Sequence, residues 1–294
     1  MYQRAPASSL FAFPHPSNYL SSSLVNSPKM KVLKMGLLNL TEPCPFKTIN
    51  KNGRAPVLLI CDHASKAIPS NLNNLGLDQN TLAKHIGWDI GAAKITHGLS
   101  NSLDAVAVLA GFSRLVVDTN RHPGNPNSIP EASDGIIIPG NKGLSEALKT
   151  LRMKEYFWPY HQKISDEISR LWSRGKPPVL FSVHTFTPSM NGEDRPWHIG
   201  VLWNRDPRIA KPLIINLRKH PDNLIIGDNF PYSGSQFAYS LDVHAGATGL
   251  SHCAVEIRQD LANTDEKVSY WVNLLSDTMS KIIKRSNIHL VEIH

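Results

Sequence analysis

Three short apolar runs, each bearing or running into residues able to do chemistry, constrain this chain most. PVLLIC (56–61) runs into Asp62 and His63, PVLFSV (178–183) into His184, and CAVEIR (253–258) carries Glu256 and Arg258. Runs of this length and composition read as buried strands. Between them lie segments whose apolar residues have helical spacing. These are Thr81–Leu103, weakened by Gly87 and Gly91, Ser145–Arg174, bent near Pro159, Pro207–Lys219 and Glu266–Lys284. Ala105–Ala110, Leu115–Asp118, Ile199–Trp203 and Leu224–Ile226 read as further strands. Strands alternating with helices predict an α/β fold, a mixed and mostly parallel sheet with helices on both faces. No shift in composition and no internal repeat divides residues 51–294, which are expected to form a single domain.

Residues 1–50 are different in kind. They are rich in Ser and Pro and carry Arg4, Lys29, Lys31, Lys34 and Lys47 against Glu42 alone. This composition is that of a presequence. The reading favoured over it is a poorly ordered extension, or a chain whose start lies at Met30 or Met35, since Pro14 and Pro16 interrupt any amphipathic helix. The segment also accounts for more than half of the formal net charge of +7. The remainder is spread thinly, which argues against a nucleic-acid partner, because such a partner needs a clustered basic face. No apolar stretch approaches the length of a membrane span. Cys44, Cys61 and Cys253 are few, odd in number and far apart, which argues against a disulfide framework or a Cys-based zinc site and fits a reducing, cytoplasmic setting.

In sheets of this kind ligands bind beyond the carboxyl ends of the strands. The polar residues that follow the apolar runs are therefore the candidates: His63, Asn120 and Arg121 after LVVD (115–118), His184, and Glu256 with Arg258. One histidine at a strand end is ordinarily a hydrogen-bonded structural residue. Two histidines, a glutamate and two arginines converging on one sheet edge are a constellation. Neutral imidazole and carboxylate oxygen bind zinc and other divalent cations, and a catalytic site keeps one coordination position open. A carboxylate beside the metal can move protons, and an arginine fork can hold a carboxylate. The compact H-E-x-x-H zinc motif is absent. Asp89, in Gly87–Trp88–Asp89, is the first choice for a third ligand; Asp62 and Asp118 also qualify, and Asp118 could instead orient a ligand histidine.

The segments CDHASKAIP (61–69), HIGWDIGAA (85–93), GFSRLVVDTNRHPG (111–124), SIPEASDG (128–135), SVHTFTP (182–188), RPWHIGVLWNRDP (195–207), DNFPYSG (228–234) and VEIRQDL (255–261) together resemble the N-formylglutamate amidohydrolase family, in order over residues 54–284. The resemblance implies a zinc-carboxypeptidase-like hydrolase architecture and an enzyme that cleaves the linear amide of a small N-acyl amino acid, a small-molecule carboxylate. It implies His63, Asp89 and His184 as ligands of a divalent metal such as zinc, Asn120 and Arg121 as the substrate-carboxylate clamp, and Glu256 as general base. Arg258 or Arg114 is expected to steady the oxyanion, and His198 to line the substrate pocket. The chain departs from the family pattern just after His63, where it reads Ala64–Ser65–Lys66–Ala67. That departure bears on the substrate more than on the metal. A deacylase or carboxypeptidase on another substrate, and a binding protein on the same scaffold, are the alternative readings. Tyr232–Gly234 is expected to form a loop near the site, Asp242 and His244 to offer a proton-transfer partner, Cys253 to be an inert core thiol, and Asn141 and Asn191–Gly192 to be turn residues.

Overall fold

A computed structural model of the chain describes residues 43–190, 192–236 and 238–294. The presequence-like reading of residues 1–42, and Asn191 as a turn residue, lie outside the described residues. The sheet has seven strands: β1 (Phe46–Ile49), β2 (Val57–Cys61), β3 (Val106–Ala110), β4 (Val179–Phe186), β5 (Ile199–Leu202), β6 (Ile226–Asp228) and β7 (His252–Arg258). Their order is β1-β3-β2-β4-β7-β5-β6. The central pairs β3–β2, β2–β4 and β4–β7 are parallel, as is β5–β6, while β1–β3 and β7–β5 are antiparallel. The predicted mixed, mostly parallel sheet is therefore present.

Alternation along the strands splits the core into two layers. Leu59 and Cys61 of β2 and Phe181 and Val183 of β4 face α1 (Ala92–Leu103), α4 (Ala210–Arg218) and α6 (Asp265–Ile282). Leu58, Ile60, Leu180 and Ala254 face α3 (Trp158–Trp172) and α5 (Tyr239–His244) on the other side. Helix α6 starts at Thr264, whose side chain accepts from Lys267 N, with Asp265 and Glu266 in its first turn and Lys281 in its last. Its buried Trp271 contributes about 2–3 kcal/mol of apolar burial.

Four sequence expectations are corrected. Residues 46–49, assigned to the N-terminal extension, form edge strand β1 paired with Ala107–Ala110, so the domain begins ahead of residue 51. Thr81–Leu103 is not one helix. A short turn at Gln79–Leu82 gives way to irregular backbone, and α1 begins only after Gly91, whose φ of 89° no helix interior tolerates. Leu115–Asp118 is buried but is not a strand; Val116 and Val117 pack with Phe112, Tyr156 and Phe157 in a separate cluster beside the sheet. The 224–226 strand is shifted to Ile226–Asp228. In the long helical segment, α2 (Glu146–Arg152) passes through a π-turn at Met153–Phe157 into α3. The wider turn sits just before Pro159, which lacks an amide donor.

Candidate active site

The carboxyl ends of β2, β4 and β7 open into a cavity of about 250 Å³ whose wall includes His63, Asp89, Arg114, His184 and Glu256. Parallel pairing brings these residues together. His184 and Glu256 sit side by side in register on β4 and β7. Asp89 arrives from the irregular segment that replaced the expected helix. Its amide donates to His63 O at 2.9 Å, and Gly87 O accepts from Ser113 Oγ at 2.8 Å. Breaking the helix at Gly87 and Gly91 is what aims Asp89 inward.

One oxygen of Asp89 is the focus. Asp89 Oδ2 lies 3.3 Å from His63 Nδ1 and 2.8 Å from His184 Nδ1. One ligand-capable atom from each of the three residues lies within 4.8 Å of the others, and all three residues are buried. Each imidazole turns its far nitrogen to another carboxylate: His63 Nε2 is 2.8 Å from Asp118 Oδ1, and His184 Nε2 is 3.2 Å from Asp62 Oδ2. A carboxylate that accepts from Nε2–H leaves Nδ1 as the lone-pair donor. Two Nδ1 atoms and a carboxylate oxygen converging on one point are a donor set suited to zinc or a similar divalent cation.

Asp62 and Asp118 are thus placed behind the histidines rather than beside Asp89. Asp62 also accepts from Tyr160 Oη (3.0 Å), Ser240 Oγ (2.6 Å) and Ser182 Oγ (3.3 Å). Burial by itself would raise the Asp62 carboxyl, but the hydrogen bonds and charges of His184, His63 and Ser240 outweigh it and hold it at about 2. Asp118 is held far below the carboxylate range against its burial, chiefly by Arg114, His63 and Arg121. Arg114 Nη2 donates to Asp118 Oδ2 at 2.5 Å and its Nη1 is 3.7 Å from Asp89 Oδ1, while Arg121 Nε is 3.4 Å from Asp118 Oδ2. Asn120 lines the same cavity, its side-chain oxygen accepting from Ser240 N at 3.1 Å.

Glu256 differs from every other carboxylate here. Burial first, then the charge of Asp89, push it up to about 7, against the pull of His184, His63 and Arg114. Its Oε2 is buried and has no hydrogen-bond partner. A buried acceptor left unsatisfied is costly, and such atoms concentrate at functional sites.

Two expected site residues are elsewhere. Arg258 lies on the same strand face as Glu256 by parity, but it stands past the rim. Its guanidinium donates to Asp260 at 2.8 and 3.2 Å and to the carbonyls of Arg195 and Pro196. Of the two arginines considered for the oxyanion, only Arg114 lines the cavity. His198 is half-buried outside the cavity wall, its Nδ1 accepting from Ile225 N at 3.2 Å. Tyr232 does line the cavity, as expected of its loop. His244 is stacked on His161 beneath the sheet, Nε2 to Nδ1 at 2.8 Å, and not in the cavity. Cys253 is a buried free thiol, as expected. Asn141 does lie in a turn, the 3-10 turn Pro139–Asn141, and is buried there; its side-chain amide donates to the carbonyls of Leu115 and Pro130. Residue reading missed Tyr160, Ser182 and Ser240 as supports of Asp62, and His85 and Asp134 on the cavity wall, paired at 3.2 Å. The parity of Ser182 with His184 was a usable signal; Ser240 offers none, since its position depends on a distant helix.

An α/β sheet whose parallel strand ends present a His–Asp–His cluster beside a buried glutamate places the chain among proteins with a hydrolase-type site. The comparisons with known proteins agree. A family model described as N-formylglutamate amidohydrolase matches residues 55–262, and the chain belongs to that family. A gene product of Agrobacterium tumefaciens of known structure is 32% identical, with a TM-score of 0.81, over 84% of this chain and 98% of that one. The N-formylglutamate amidohydrolase of Ralstonia eutropha shares the fold at 16% identity and a TM-score of 0.57, over 82% of this chain and 97% of that one. No curated protein matches the chain. No helix among the described residues is long and apolar enough to cross a membrane.

Proposed function

We propose that this protein is a metal-dependent amidohydrolase that cleaves the amide of a small N-acyl amino acid such as N-formylglutamate. The observation that carries the reading is Glu256: a raised, buried carboxyl with an unpartnered oxygen, next in register to one residue of a His–Asp–His cluster. A binding protein has no use for such a group. A divalent cation held by His63, Asp89 and His184 supplies, when bound, Lewis acidity and a water of lowered pKa.

The chain's own residues do the rest. Arg121, with Asn120, holds the substrate carboxylate and so fixes where the amide lies. Glu256 Oε2 accepts a proton as water attacks the amide carbon, and returns it to the nitrogen of the departing amine as the C–N bond breaks. Arg114, steadied by Asp118, offers its guanidinium to the oxygen that becomes negative in the tetrahedral state. Asp62 and Asp118 keep both imidazoles facing the cavity through Nδ1.

The test is chelation followed by reconstitution with single divalent metals, with each form assayed for amine release from N-formyl and N-acetyl amino acids. Loss of turnover on chelation and its return with one metal is the expected result. Full turnover in the metal-free protein, or none on any N-acyl amino acid in the loaded protein, overturns the reading.

A further inference from the structure

The arginines at the cavity and its rim hold carboxylates, with one exception. Arg114 and Arg121 meet Asp118, and Arg258 meets Asp260. Arg195, half-buried where the Ser189–Asp194 hairpin returns to the sheet, pairs with no carboxylate among the described residues. Its Nη1 donates to Tyr232 Oη at 2.9 Å and its Nη2 points at Met190 Sδ at 2.8 Å. The guanidinium lies 5.0 Å from the Tyr232 ring centre and 6.0 Å from that of Phe186. Tyr232, Met190 and Phe186 all line the cavity that holds the His–Asp–His cluster. The remaining rim carboxylate, Asp134, is engaged by His85.

A guanidinium has five donors in a planar fork and is always charged. A phenol and a thioether, with ring faces beside them, leave most of that capacity unused, since a thioether is a weak acceptor. A cation removed from much of its water without a counter-ion is costly, and it is a ready receptor for an anion that enters the cavity. Two arginines then stand ready for carboxylates: Arg121 on the cavity wall, for the carboxylate every N-acyl amino acid carries, and Arg195 against Tyr232, Met190 and Phe186 of that wall, for a second anionic group.

We propose that Arg195 is the specificity-determining residue that reads a second carboxylate, on the side chain of the substrate, and so separates N-acyl derivatives of acidic amino acids from those of their neutral amides. This rests on the amidohydrolase reading and adds to it the group that selects the side chain. Tyr232, which lines the cavity and whose hydroxyl accepts from the guanidinium, holds Arg195 against the cavity wall.

The experiment compares wild type, Arg195→Lys and Arg195→Gln, each loaded with zinc and checked for metal content. kcat and KM are measured on N-formylglutamate and N-formylglutamine, and binding of glutamate and glutamine is measured by calorimetry. Wild type is expected to favour the acidic member of each pair. Arg195→Gln should raise KM and weaken binding for that member on the order of ten- to a hundredfold, leave the neutral member nearly unchanged, and retain its zinc. Arg195→Lys should restore part of the preference. Equal losses on both members, or no loss on either, overturn the proposal and make Arg195 a structural cation held by its aromatic neighbours. If wild type cleaves neither compound yet binds glutamate in an Arg195-dependent way, the amidohydrolase reading fails and the Arg195 assignment stands.

Discussion

Asp62 Oδ2 lies 3.2 Å from His184 Nε2, and this contact decides which nitrogen of the ring faces the cavity. The carboxylate is itself fixed by Tyr160, Ser182 and Ser240, so the ring cannot turn without breaking a buried network. Asp62→Asn keeps the shape and removes the charge. It is expected to weaken zinc affinity roughly ten- to a hundredfold, read by competition with a chromogenic chelator. Unchanged affinity would show that His184 is oriented without Asp62.

Glu256→Gln tests the proton transfer separately from the metal. The amide is isosteric and stays buried between the same strands, so zinc content should be that of wild type. Turnover should fall by about two to four orders of magnitude. A near-normal kcat at full metal occupancy removes Glu256 from the chemistry.

Gly91 sits two residues after Asp89 with φ of 89°, and a Cβ there would run into the Ala262 carbonyl oxygen. The left-handed backbone and the clash both act on the turn that delivers Asp89 to the cavity. Gly91→Ala is expected to lower stability by roughly 2–4 kcal/mol in urea unfolding and to weaken metal binding with it. A variant as stable as wild type would mean that the turn has room to relax.

The stacked pair His161 and His244 gives a pH dependence. Burial drives His161 down to about 4 and His244 to about 3, against about 6.5 for a histidine in the unfolded chain. Below about 6.5 the unfolded chain takes up protons that the fold refuses, so the pair's contribution to stability is complete above that pH and is lost as pH falls towards the folded values. Replacing His244 with Gln removes one such group. The slope of unfolding free energy against pH between about 6 and 4 should become shallower by up to one proton, or about 1.4 kcal/mol per pH unit. Parallel slopes for variant and wild type in urea titrations would refute the assignment.

Much of the site was legible because buried parallel strands advertise themselves. An apolar run that stops at a polar residue marks where the sheet ends and the ligand site begins, which is how His63, His184 and Glu256 were found. The same rule misled at Leu115–Asp118, where an apolar run packs into a side cluster with Phe112 and Tyr156 and never joins the sheet. It also misled at Arg258, because strand parity gives a face but not the point at which the strand passes the rim. The edge strand Phe46–Ile49 was hidden by the composition of the segment it closes.

The sequence by itself determined the α/β class, the family, and the residue types that meet at the strand ends, since these follow from local periodicity and motif. Only the tertiary structure decided where the three aspartates stand, of which the sequence put Asp89 first and left Asp62 and Asp118 open. Asp89 joins the histidine Nδ1 atoms because two glycines break its helix, while Asp62 and Asp118 stand behind the rings as partners of Nε2. The physical reason is direction. A carboxylate becomes a ligand or a support according to which side of an imidazole it meets, and that depends on backbone turns and on helices far away in the chain, such as the one bearing Ser240.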